Sequence, residues 1–427
     1  MPAGPLAFQS SAHDSEVRSL DPEQVQYLAF AAAGVTGAAL GELPYYRGTK
    51  VETDGGGGNI LGSLVSRTAV SPDAAHCVSI FIIQDDGVTF LKRPQTLGRE
   101  DLTSLGKLCA RDEPAVAEIY ELLAVNVSDH RPEVENYLPH TPRFNQWATN
   151  KPGTTLFLPV IDFSELYLSV LFGGLDEDAG YFLLDDRNNL VASGLRDFAI
   201  SEGGHLNDDP AGNLVFPQDY LDMMVTMLAT VELGAIMQNL SLMARALGVG
   251  GWPHYAATDW LEKLNFEFDE LPSSRVLGLN PDLAMTLRLT DKDKSIKSFT
   301  RFSYGGENLI RPYCPPNFAN MSDAVRAFVD ERFGREDDPQ VGRMRDKGNP
   351  SLWRDDPAVR KGIERYTDRQ LGAGIEHAEY IHQRYGRFPA RLGALTTLTA
   401  FQAHRLDAGF YETHYDAAHP VLSDVVR

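Results

Sequence analysis

Apolar residues recur at helical spacing through Leu221, Met224, Val225, Leu228, Val231, Ile236, Leu240, Met243 and Leu247, predicting one long helix from near Asp219. Its apolar coverage is wide, so most of its faces are expected to be buried. Gly248 is placed to end it in the left-handed conformation, and Pro253 forbids a helical restart. Between them, Gly250 and Gly251 let the backbone run close to a flat neighbour. Glu232, Gln238 and Asn239 interrupt the apolar pattern, and an unpaired buried amide costs roughly 1–3 kcal/mol. Two accounts of these residues stay open: hydrogen bonds to neighbouring backbone or a second subunit, or contacts to a bound cofactor.

Other segments are read by the same rules. Asp21 with Pro22 and Gln24 starts a helix that runs to about Ala33 and stops at Gly34. The glycine run in Thr53–Gly58 lacks the Lys-Ser/Thr and helix start of a P-loop, and reads as a surface loop. Cys77–Ile83, Asp85-Asp86-Gly87 and Val88–Leu91 predict a hairpin, and Glu100–Leu123 is helical in pattern. Ser128–Gly153 is polar and turn-rich, suited to crossing the surface or the mouth of a site. Thr154–Ile161 is β-prone, Tyr167–Phe172 is a second apolar run, and Tyr181–Asp185 with Leu190–Ala192 flank a turn. Trp260–Phe266 predicts a helix, Leu283–Leu289 a strand, and Ser322–Phe333 an amphipathic helix. Arg335–Asp356 is charged and linker-like, and Pro357–Arg427 predicts two helices separated by Tyr385–Pro389. The expected organisation is a flexible N-terminus (1–20), a main domain (21–334), a charged linker (335–356) and a helical C-terminal extension (357–427).

Composition narrows the function. A formal charge of −20 repels phosphate backbones and anionic headgroups, arguing against nucleic acid or membrane partners. Cys77, Cys109 and Cys314 have no paired spacing, and the first residues have no signal-peptide pattern, so a cytoplasmic protein is expected. Lys292, Lys294, Lys297 and Arg301 form a basic run, either a solvated loop or a phosphate anchor. Glu379-x-x-His382 has the spacing that puts a carboxylate and an imidazole on one helix face, and His404-x-x-Asp407 shares it. These four are either metal ligands or a solvated face.

The phrase Glu232-x-Gly234, Gln238-Asn239, Leu242-x-x-x-Ala246-Leu247-Gly248-x-Gly250 resembles the central helix of the nitroreductase superfamily of flavoproteins, most of all its azoline-dehydrogenase branch. Leu20–Gln24 followed by Gly34-Val35-Thr36, and Arg67-Thr68 followed by Ser71, resemble earlier segments of that branch in the right order. The likeness covers about residues 20–290, patchily. It implies an α+β fold, with an antiparallel sheet flanked by helices and a long central helix that pairs in a homodimer. It also implies FMN and oxidoreductase chemistry, reduction or desaturation, on a small-molecule or peptide-derived substrate in a biosynthetic pathway. Carried onto this chain, Gly250 and Gly251 would face the flavin ring, Gln238 or Asn239 would support it, and Ser71 would touch it. Arg18 with Arg301 would take the phosphate, replacing the family's Arg-x-Ser-x-Arg, which is absent here. Asp73 stands where the family has glycine. The departures define the alternatives: a flavin-free nitroreductase-like binding or scaffold protein, or a metal-dependent enzyme using Glu379, His382, His404 and Asp407.

Overall fold

A computed structural model describes residues 18–38, 65–113, 115–175, 182–201, 215–287, 295–334 and 365–406. The first helix, α1 (Pro22–Ala33), begins as its capping residues dictate, with Gln24 Oε1 accepting from Asp21 N at 3.0 Å. Short strands β1 (Val35–Ala38) and β2 (Val65–Arg67) pair behind it. The Asp85-Asp86 turn then joins β3 (Val78–Gln84) to β4 (Gly87–Leu91), the expected hairpin. Helices α2 (Arg99–Cys109) and α3 (Val116–Leu123) divide the next helical pattern before β5 (Ala124–Ser128).

Strand β6 (Thr154–Asp162) is buried at all nine positions, which is why its central run, Leu156–Ile161, is continuously apolar rather than alternating. The apolar run after it is helical. It lies in α4 (Phe163–Gly174), started by Asp162, whose Oδ1 accepts from Ser164 N at 3.0 Å. A small sheet of β7 (Phe182–Asp185), β8 (Val191–Ala192) and β9 (Val215–Pro217), with α5 (Leu195–Ser201), leads into the 29-residue α6 (Gln218–Ala246). Gly248, at φ +69°, turns the chain out of α6 into β10 (Gly250–Tyr255). Then follow α7 (Asp259–Lys263), β11 (Glu267–Pro272), α8 (Ser273–Val276) and α9 (Pro281–Thr286). Strands β12 (Ser295–Tyr304) and β13 (Glu307–Ile310), helices α10 (Met321–Phe333) and α11 (Asp368–Tyr385), and strands β14 (Leu395–Thr396) and β15 (Thr399–His404) complete the described chain.

The fold is mixed α+β, built on a ten-stranded sheet in which every pairing is antiparallel, ordered β11-β12-β14-β6-β3-β4-β5. β15 also pairs with β6, beside β14, and carries β10 on its other edge. Three expectations are corrected. Leu283 does not begin a strand: Asn280 accepts from Leu283 N and Pro281 sits in the first turn, so the capping chemistry wins and α9 forms. Lys297 and Arg301 lie in β12 rather than a loop, whereas Lys292 and Lys294 fall outside the described residues. The second expected helix of the C-terminal extension is absent at 395–404, where β14 and β15 fill the open side of β6. These short runs offer four or fewer consecutive buried positions, a length suited to strands.

Among the described residues, α6 alone is long and apolar enough to cross a membrane by length and composition. In this fold it packs against α1 and α4 and buries Leu221, Val225, Leu233, Ile236, Leu240 and Ala244.

Candidate functional site

The polar residues of α6 meet the chain where β2 turns toward β3. Glu232 is 1% exposed; its Oε2 accepts from Ser71 Oγ at 2.8 Å and Cys77 N at 3.0 Å, and its Oε1 from Val78 N at 3.2 Å. One carboxylate thus satisfies the first amides of β3. Ser71 Oγ accepts in turn from His76 N at 3.0 Å. Asn239 spends its Nδ2 on Ala31 O (3.1 Å) and Thr68 O (3.0 Å). The buried Arg67 donates to Ala33 O and Val78 O, and burial lowers its pKa to about 10. Burial, helped by Arg67 and Arg93, lowers His76 to about 4, so the ring is neutral at physiological pH. Burial and the adjacent Glu232 raise the Cys77 thiol well above its usual value. The loop between is wound the unusual way: Asp73, Ala74 and His76 have φ of +50°, +51° and +46°. Such conformations cost of order 1–3 kcal/mol each and persist where surroundings over-determine them.

The other nominated residues lie apart from this crossing. Gln238 is exposed on the outer side of α6. Gly250 and Gly251 do adjoin flat groups, but these belong to β15: a Cβ at Gly250 would stand 2.6 Å from His404 Nε2, and one at Gly251 2.6 Å from the Phe401 ring. Arg301 is ion-paired with Glu267 at 2.6 Å. Phe299, two residues before it, aligns through Leu395 with Asp162, the last residue of β6. Arg18 precedes Ser19, whose Oγ donates to Asp85 and whose carbonyl accepts from Arg405, near the Thr154 end of β6. Arg18 and Arg301 therefore stand at opposite ends of a nine-residue strand, about 30 Å long at ~3.3 Å per residue. They cannot share one phosphate within a chain.

The nominated metal residues are also dispersed. Glu379 Oε1 accepts from Ser322 N at 3.3 Å on α10, while His404 lies on β15 with Nδ1 2.8 Å from Arg405 O. Asp407 falls outside the described residues. Elsewhere on α11, His377 is buried between Tyr167 OH (2.9 Å) and Ser193 O (3.2 Å), and the hydroxyls of Tyr380 and Tyr385 both donate to Asp185. These groups fasten α11 to α4 and β7.

A second cluster lies at an open cleft between the irregular segment 131–153 and β10–α7, lined by His140, Asn145, His254, Asp259, Trp260 and Gln402. His140 Nδ1 is 2.7 Å from Asp259 Oδ2, and Lys263 Nζ is 2.8 Å from Glu135 Oε1. Asn145 Nδ2 donates to Tyr255 O, and Gln402 Nε2 to Ala148 O and Thr154 Oγ1, fixing the segment to the sheet. Exposed rings lie on the bordering segment, Tyr137 (58%), Phe144 (70%) and Trp147 (63%), and in the cleft lining, Tyr255 (53%). Trp147 stacks on Trp252 with centroids 5.0 Å apart and a 17° interplanar angle. Sequence reasoning missed this cluster. His140 and Asp259 are 119 positions apart, and neither sits in a motif.

No protein-family model, curated protein or solved structure matches this chain.

Proposed function

We propose that this chain is a nitroreductase-like, homodimeric binding protein for a small molecule or peptide, without resident flavin chemistry. The observation that carries this reading is the cover over Gly250 and Gly251. The faces that a flavin ring would need are filled by His404 and Phe401 of β15, which is hydrogen-bonded into the sheet on both sides. The remaining nominated groups support the same reading. Ser71 Oγ and Asn239 Nδ2 have their hydrogen bonds committed to protein groups, Gln238 faces outward, and Arg18 and Arg301 do not converge. The cleft, with Tyr255 in its lining and the exposed Tyr137, Phe144 and Trp147 on the segment that borders it, suits a ligand, since exposed aromatic surface marks interaction sites.

The dimer is supported by an apolar stripe on the outer face of α6. Met223, Met227, Val231 and Leu242 are 42–60% exposed at helical spacing, with the exposed Gly234 among them. Substituting Met227→Lys with Val231→Glu is expected to convert the dimer to a monomer in sedimentation velocity.

Resemblance to the nitroreductase pattern is supported by the loop after Ser71. Asp73, where that family has glycine, still takes the left-handed conformation that glycine favours. The same observation favours a second reading, an FMN-dependent oxidoreductase, because the glycine-like path of the loop persists without glycine. One measurement separates the two. Purified protein mixed with excess FMN and desalted is expected to be colourless, with an unchanged melting temperature. Stoichiometric flavin retained after desalting would overturn the binding-protein reading in favour of the enzyme.

A further inference from the structure

We infer that Glu135, His140 and Asp259 form a site for one divalent transition-metal ion with zinc-like preferences, opening on the cleft. This goes beyond the binding-protein reading and does not depend on whether flavin is held. One ligand atom from each residue lies within 4.8 Å of the other two, and among the described residues this is the sole group of histidine, cysteine and carboxylate side chains so gathered. Zinc bonds of about 2.0–2.2 Å to nitrogen and oxygen place neighbouring ligands roughly 3–4 Å apart. Closing the group around an ion therefore requires side-chain adjustment rather than movement of the backbone.

The backbone already holds the donors in place. Thr141 Oγ1 donates to Glu135 O at 2.7 Å, and Thr141 N donates to Tyr137 O at 2.9 Å, so Glu135 and His140 sit on one closed turn. Asp259 is the first residue of α7, whose next residue, Trp260, is buried. The His140 ring is steadied edge-on by Tyr137, with centroids 5.3 Å apart.

A positive charge already occupies this place. Lys263 holds its ammonium 2.8 Å from Glu135 Oε1, and His140 Nδ1 lies at hydrogen-bond distance, 2.7 Å, from Asp259 Oδ2. A dication would replace the ammonium and that hydrogen bond, with the two carboxylates balancing its charge. Lys263 is 36% exposed and free to swing into water. One imidazole with two carboxylates suits zinc or manganese, whereas calcium and magnesium favour all-oxygen shells. Three protein ligands leave a position open to the cleft, the arrangement of zinc sites that take a water or a ligand atom. The ligand class that fits is a small molecule or peptide with a carboxylate or thiolate donor and an apolar group to lie on Tyr255.

The test uses the full chain, treated with chelator, desalted, and titrated with Zn²⁺ by calorimetry and with Co²⁺ as a coloured probe. The expected result is one ion per chain. His140→Ala and Asp259→Asn should each weaken binding at least about 10–100-fold, the loss typical even of second-shell partners. Lys263→Met should strengthen it by removing the competing ammonium, and His404→Ala should leave it unchanged. Far-ultraviolet dichroism checks that each variant is folded. Zinc affinity that is equal in the parent and the His140→Ala/Asp259→Asn double variant, or that falls in Lys263→Met, would overturn the inference and assign binding to scattered surface histidines. Absence of zinc binding by the folded parent would overturn it outright.

Discussion

The α6 crossing and the aromatic cleft are both polar clusters on one scaffold, and they are organised in opposite ways. At the crossing, Glu232, Ser71 and Asn239 spend their hydrogen bonds inside the chain, and the groups they satisfy are backbone amides and carbonyls. At the cleft, His140, Asp259, Glu135 and Lys263 pair side chain to side chain and remain a quarter to a third exposed. A polar group that satisfies buried backbone is needed by the fold, because a buried amide left alone costs its full desolvation. Side chains paired at a surface are worth little to the fold and remain available to a ligand. Three of the residues singled out by family resemblance, Glu232, Ser71 and Asn239, thus fall where the fold needs them, and the open chemistry lies in a segment with no motif.

The sharpest way to break this contrast is to delete one carboxylate from each region. Glu232→Ala removes the acceptor of four hydrogen bonds, from Ser71 Oγ, Cys77 N, Cys77 Sγ and Val78 N, and a carboxylate whose charge acts on the buried Arg67. It is expected to cost about 3–5 kcal/mol, since each buried donor left alone costs about 1–3 kcal/mol, measured by urea unfolding. Asp259→Asn should change stability by less than about 1 kcal/mol in the same assay. Equal losses would erase the distinction.

A pH titration gives the next largest effect. Burial lowers His76 to about 4, below its unfolded value near 6.5. The unfolded chain therefore takes up the proton first, and stability held above pH 6.5 is lost as pH falls toward 4. At ~1.36 kcal/mol per unit this amounts to about 3 kcal/mol, an order-of-magnitude figure. His76→Gln should flatten that part of the stability–pH curve, and an unaltered slope would show that the ring is not held neutral.

Thiol labelling is a smaller, kinetic probe. Burial raises both Cys77 and Cys314, so neither is expected to react with a disulfide reagent until the protein unfolds. Cys109, only half-buried, should react first. Rapid labelling of Cys77 in native protein would show that the crossing opens. The smallest effect is expected from Trp147→Ala: about 0.5–1.5 kcal/mol for the lost ring pair, with a change in the near-ultraviolet dichroism of the stacked indoles.

How much of this was legible in sequence depended on the distance over which the signal acts. α6 showed itself because its periodicity repeats over 29 residues, and α1 because Asp21, Pro22 and Gln24 lie within one turn. The β3–β4 hairpin needed only its Asp-Gly turn. Leu283 departs from its strand expectation because a short apolar run has no period of its own, and the Asn280-Pro281 cap outside it decides the outcome. The β15 segment departs from its helical expectation because its conformation is set by the open side of β6, which a local window does not contain. The same limit hid the cleft. His140 and Asp259 carry meaning only as neighbours, and their neighbourhood is made by β10 and α7 packing on an irregular segment. The exposure of Trp147 and Phe144 was equally invisible, since aromatic residues in a chain of this hydrophobicity are by default assigned to the core.

The placement of β15 bears on how this protein is made. On one side β6 is completed by β3, from earlier in the chain; on the other it waits for β14 and β15, and Gln402 reaches 248 positions back to Thr154. A ribosome that has delivered α6 has produced the longest of the described helices and the central strand, but not the strand that closes the sheet beside it. Until residue 404 emerges, one long edge of β6 carries unpaired amides and carbonyls, the kind of edge that recruits other chains. Newly made copies are therefore exposed to mispairing through the stretch of synthesis that separates β6 from β15. Closing the sheet depends on a six-residue strand finding a place prepared more than two hundred residues earlier.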